Sequence, residues 1–214
     1  MTSKNLAKLL FFIYCFLSIA CIQSAFNWQT SAIAEKNILL ENTQNLSASE
    51  KADLQQGKVL LKGQKGNYLG RVLAAGDTNT AWEVLTDYDN FERFFPNISS
   101  SKIITEQGNR VVFEQVNLVD LWLFQQEFTV QIEATKYKPT KVDFKIVDGD
   151  LKKLIGRWEI KEISPGKISI AHAVEVEPGS NTEKPFFYGV YESSLEDTLH
   201  AIAKEISQRS QSVK

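Results

Sequence analysis

Thr80-Ala81-Trp82-Glu83-Val84-Leu85-Thr86-Asp87-Tyr88-Asp89-Asn90-Phe91-Glu92-Arg93-Phe94-Phe95-Pro96 is the stretch on which the fold turns. Thr80, with Glu83 three residues on, has the capping-box spacing, so a short helix carrying Ala81, Trp82 and Leu85 opens there. The turn Asp87–Asn90 ends it. A second short helix bearing Phe91, Phe94 and Phe95 follows and stops at Pro96, whose ring disfavours helical geometry in the residue before it. Just upstream, Tyr68–Ala75 is an apolar strand closed by Gly76-Asp77. Two short helices therefore follow a first strand.

Beyond Pro96 the period changes from helical to alternating. Phe128, Val130, Ile132 and Ala134 oppose Glu127, Thr129, Gln131 and Glu133; Val142, Phe144 and Ile146 oppose Lys141, Asp143 and Lys145. Ile168, Ile170, Val174 and Val176 continue the pattern against Lys167, Ser169, Glu175 and Glu177. A strand with one greasy and one wet side belongs to an antiparallel sheet buried on one face. Turn sequences at Gln107-Gly108-Asn109, Lys138-Pro139, Asp148-Gly149-Asp150 and Ser164-Pro165-Gly166 separate the runs at hairpin spacing, which predicts a meander.

After a loop holding Pro185, Phe186, Phe187 and Tyr188, the chain is predicted helical over Glu192–Gln208. Tyr191, Leu195, Leu199, Ile202 and Ile206 recur at helical spacing and form one stripe. That stripe has to lie across the sheet. Strand, two helices, meander and long helix make an α+β sandwich, a curved sheet closed by one helix.

The remainder bounds function. The 214 residues, 43% hydrophobic and 23% charged with a formal net charge of -2, can bury a core and do not seek nucleic acid. Lys4 and Lys8 precede Leu9–Ile22, a charge-free run of 14 mostly apolar residues, the layout of a secretory signal; residues 1–34 are read as that signal or, alternatively, as a membrane anchor. The run is shorter than the roughly 20 residues a spanning helix needs. An exported protein, in the periplasm or an equivalent lumen, or one anchored by its N-terminus, is expected. Cys15 and Cys21 both lie in this leader, and Leu17–Cys21 loosely resembles a lipidation box. Removing the leader leaves no thiol for disulfides, nucleophiles or metals. Residues 35–56 read as a linker or weak helix, and the domain as residues 57–210.

Trp82–Tyr88, then Phe91 and Phe95-Pro96-Asn97, resemble the helix-loop signature of the polyketide cyclase/dehydrase and coenzyme Q-binding branch of the START-like (SRPBCC, Bet v 1-like) superfamily. Gly149-Asp150-Leu151, Gly156-Arg157-Trp158 and Val176-Glu177-Pro178 resemble its later landmarks, over roughly residues 66 to 208. The usual proline before the first helix is absent; Ala75-Gly76-Asp77 stands there. The resemblance implies a helix-grip fold, about seven antiparallel strands gripping the C-terminal helix, with a cavity between them for a lipid, quinone or polyketide.

Such cavities are lined by aliphatic and aromatic groups with a few polar groups that orient the guest. Strand parity nominates Phe128, Val130, Phe144, Ile146, Trp158, Ile160, Ile170 and His172, with Tyr191, Leu195 and Leu199 from the helix; each is equally consistent with plain core packing. His172 takes the inward phase of an apolar strand, where an imidazole either meets a ligand oxygen or satisfies itself on a neighbour. Glu114 shares a face with Val112, Val116 and Leu118 and is nominated as an inward carboxylate, although the sister face carries Val111 and Phe113. Binding or transfer of a hydrophobic small molecule is the leading expectation, without a cofactor or metal. Two alternatives stand beside it: a cyclase/dehydrase-type enzyme using Glu114 and His172, and an interaction module with a filled core. A membrane surface, met through Phe186–Tyr188, is a candidate partner.

Overall fold

The computed structural model describes residues 46–121, 124–180 and 183–212. The expected leader, and the linker up to Asn45, lie outside the described residues. Within them the order is α1 (Ala48–Gln55), β1 (Leu60–Gln64), β2 (Asn67–Ala75), α2 (Thr78–Leu85), a 3-10 helix (Tyr88–Arg93), β3 (Ile98–Gln107), β4 (Arg110–Leu121), β5 (Phe124–Tyr137), β6 (Lys141–Gly149), β7 (Leu151–Ser164), β8 (Lys167–Pro178) and α3 (Lys184–Ser212). The strands form one antiparallel sheet in the order β1-β2-β8-β7-β6-β5-β4-β3. This is the α+β helix-grip architecture read from the sequence, with eight strands where the resemblance implied about seven.

Local chemistry explains the elements and the points at which they depart from expectation. The capping box sits on α1, where the Ser47 hydroxyl accepts from the Glu50 amide and the Glu50 carboxylate accepts from the Ser47 amide. The helix at 48–55 falls in the segment read as a linker or weak helix, and it lies with strand β1 at 60–64 in the compact unit Leu46–Lys214. α2 is capped by Asp77, not Thr80: its Oδ1 accepts from the amides of Asn79 and Thr80 at 2.8 and 2.9 Å. Asp77 has the extended backbone of an N-cap and its side-chain oxygen accepts from the second and third amides of the helix, so the helix starts at Thr78 and Thr80 lies inside its first turn. α3 begins at Lys184, so Pro185, Phe186, Phe187 and Tyr188 are helical, not loop. Proline in the first turn forfeits no hydrogen bond, which is why a helix can start across a residue that reads as a breaker.

The stripe of α3 does what its spacing requires. Leu199, Ile202 and Ile206 are fully buried, each contributing roughly 1.5–3 kcal/mol. The helix packs on β2, β8 and α2, at one side of the sheet. Close approach rests on Gly70: a Cβ there would lie 2.4 Å from Leu199 Cδ1. At the far end Arg209 Nη2 donates to Asp87 Oδ2 at 2.8 Å, tying α3 to the junction of α2 and the 3-10 helix. With α3 committed to β2 and β8, the inner face of β4–β7 is left for other contacts.

Candidate functional site

On that uncommitted face a half-open cavity of about 460 Å³ lies between β4–β8, the N-terminal half of α3, and the α2 and 3-10 helices. That volume falls within the range of cavities that hold small organic ligands. Its walls are aromatic and aliphatic: Phe91, Phe95, Phe113, Phe128, Val130 and Ile132 on one side, Phe144, Trp158, Tyr191 and Leu195 on the other. Among the lining residues Glu183 is the sole carboxylate.

The register shows how the chain builds this wall. Phe113 pairs with Ile132, Gln115 with Val130 and Asn117 with Phe128, so each pair points to one face. The period-2 pattern of β5 therefore carries β4 with it and selects the Val111–Phe113–Gln115–Asn117–Val119 side as inward. Glu114 is thereby turned to the opposite face, where its carboxylate accepts from Gln131 Nε2 at 3.1 Å. Its nomination as an inward residue is corrected, and Glu114 and His172 do not share the cavity.

Across the cavity, Trp158 and His172 are directly paired on β7 and β8 and stack with ring centroids 3.7 Å apart. Phe144 lies parallel to the imidazole at 5.5 Å, interplanar angle 10°. It reaches there over Gly156, where a Cβ would come within 2.6 Å of Phe144 Cζ and 2.3 Å of the Ala173 carbonyl oxygen. His172 is 4% exposed, clamped between aromatic faces on an inward strand position. Tyr191 stacks on Tyr68 and Phe187, and burial pushes its phenol well above the ordinary range. Tyr88 stacks on Phe113 at 4.4 Å and is likewise raised by burial.

Of the nominated residues, Phe128, Val130, Phe144, Trp158, His172, Tyr191 and Leu195 line the cavity. Ile160, Ile170 and Leu199 do not: they are solid core, because the rows they occupy are filled by helix rather than void. Ile146 packs half-buried against that core beside the register shift at Gln131/Ile132. Trp82 is buried without reaching the cavity. Among the lining residues that parity did not nominate are Gln115 and Asn117, on the sister face of β4, together with Asn97, Ser194, Phe186 and Val190. Pairing β4 with the unambiguous β5 was the signal that finds the first two. Asn97 Nδ2 donates to Ser194 Oγ at 2.9 Å, joining the 3-10 helix loop to α3.

Solved structures with this architecture include a Thermus thermophilus protein (10% identity, TM-score 0.57, covering 68% of this chain and 97% of that one). They also include the Zhui aromatase/cyclase of a Streptomyces species (14%, 0.56, 71% and 95%). A third is a STAR-related lipid transfer protein from Xanthomonas axonopodis (13%, 0.56, 69% and 92%). At these identities the likeness is one of fold. No curated protein matches the chain. The family described as polyketide cyclase/dehydrase and lipid transport matches residues 77–203, from the cap of α2 into α3. That match spans more than half of the sequence, and the chain belongs to this family.

Proposed function

We propose that the protein binds or transfers a hydrophobic small molecule, of lipid, quinone or polyketide-like chemistry, held between the sheet and α3. One observation carries the reading: a half-open cavity of about 460 Å³ whose walls are predominantly apolar and aromatic, with a minority of polar side chains. Leaving such surface wet is costly, and a guest that removes it from water gains roughly 25 cal/mol for each Å² of apolar area. Phe128, Val130, Phe144, Trp158, Tyr191 and Leu195 are the groups that would touch the guest. Phe186, 52% exposed on the rim, is the natural contact with a membrane surface from which such a guest is drawn. Export through the Leu9–Ile22 leader belongs to the same reading, and the N-terminal mass of the mature protein tests it.

The binding test uses N-phenyl-1-naphthylamine, a neutral dye that fluoresces in apolar surroundings. Wild type should show saturable uptake near one equivalent, and Leu195→Trp and Val130→Trp should abolish it with unchanged far-ultraviolet circular dichroism. Undiminished uptake by both variants would sink the reading. The cyclase alternative built on Glu114 with His172 has lost its geometry, since the two project to opposite faces of the sheet.

A further inference from the structure

The wall of the cavity contributed by β4 contains a group that the protein itself does not use. Phe113, Gln115, Asn117 and Val119 face inward. Asn117 Nδ2 reaches the Phe128 carbonyl at 3.4 Å, and Asn97 Nδ2 is bonded to Ser194. The carboxamide of Gln115, by contrast, makes no hydrogen bond among the described residues. Its cross-strand partner is Ser101 of β3, 6% exposed, whose Oγ also has none. Directly paired residues hold their Cβ atoms only about 4.5–5.5 Å apart, so the half-buried Gln115 amide, open to the cavity, sits beside the buried and unpartnered Ser101 hydroxyl. Buried polar groups in folded proteins are nearly always paired, and an inward strand position with no polar duty is normally given to Val or Ile.

We infer that Gln115 is the specificity-determining residue of the cavity, its carboxamide hydrogen-bonding an uncharged oxygen, carbonyl, ether or hydroxyl, on the hydrophobic guest. This rests on the binding reading above and narrows it. A bare alkyl chain leaves the amide dry and unpaired. An anionic headgroup finds no cation among the cavity residues and meets Glu183 instead. The guest is therefore neutral and oxygenated, with its flat or apolar portion available to the Phe144, Trp158 and His172 rings across the void.

The test is displacement of N-phenyl-1-naphthylamine from the full-length protein by two probes with the same fused two-ring carbon skeleton, 1,4-naphthoquinone and naphthalene, of which only the first carries oxygen. In wild type and in Gln115→Leu the ratio of their affinities is compared, which cancels their different hydrophobicities. Losing the amide should shift the ratio towards naphthalene by roughly threefold to tenfold, the worth of one neutral hydrogen bond. Gln115→Met, closer in length, gives the same readout if the leucine variant misfolds. An unchanged ratio, or equal weakening of both probes, overturns the assignment while the cavity reading survives on dye uptake. Failure of wild type to take up the dye overturns both.

Discussion

The imidazole of His172 lies against the indole of Trp158, centroids 3.7 Å apart, as a direct cross-strand pair on the inner face of β7 and β8. The indole therefore reports on the cavity, whereas Trp82 is packed away from it. A quinone probe entering the cavity should quench tryptophan emission. Trp158→Phe should remove a large part of that quenching and Trp82→Phe should not. Equal quenching in the two variants would place the probe elsewhere.

Gly156 and Gly70 differ in what a methyl group would meet. At Gly156 it strikes a backbone oxygen at 2.3 Å and the Phe144 ring at 2.6 Å, whereas at Gly70 the obstacle is a single leucine methyl at 2.4 Å. Backbone cannot yield without moving the β7–β8 ladder. Gly156→Ala is expected to cost about 1–3 kcal/mol and Gly70→Ala less, by chemical denaturation. The first should also weaken dye uptake by displacing Phe144.

Glu114 and Gln115 are neighbours in sequence and opposites in space. Glu114→Gln should leave dye uptake and the naphthoquinone-to-naphthalene ratio as in wild type, because its carboxylate is engaged with Gln131 on the outer face. A changed ratio would put Glu114 back in contention.

Asp77 gives α2 a pH dependence. The amide of Thr80, with the Thr80 hydroxyl and the Asn79 amide, holds its carboxyl below the ordinary value of 3.8. The folded value lies below the unfolded one, so the stabilisation is fully present above about pH 4 and is lost as pH falls through the folded value. Asp77→Ala should cost about 1 kcal/mol at pH 7, and Asp77→Asn only a few tenths while flattening the acid limb of a melting-temperature profile. An unaltered limb in Asp77→Asn would assign it to other carboxylates.

The Arg209–Asp87 bridge joins the last turns of α3 to the α2 junction, yet both side chains are partly exposed, 31% and 25%. A double-mutant cycle with Arg209→Gln and Asp87→Asn should give a coupling below about 1 kcal/mol that fades with salt. A coupling of several kcal/mol would mean the bridge, rather than Leu199, Ile202 and Ile206, anchors the helix.

What the sequence by itself determined was everything carried by short periods. The two-residue alternation of β5, β6 and β8, the turns between them and the stripe Leu195–Leu199–Ile202–Ile206 follow from side chains meeting water or apolar neighbours within a few residues. Hence the α+β class and the family signature around Trp82–Pro96 were both legible. β4 was not, because apolar residues occupy both of its faces and only pairing with β5 chooses between Glu114 and Gln115. Nor could the pattern separate core from cavity: Ile170 and His172 share one inward face, but α3 fills the rows around Gly70 and Leu199 and leaves the face of β4–β7 open. That choice belongs to tertiary structure, since a void is the place where two elements fail to meet, and no stretch of a single strand records how far away its partner lies.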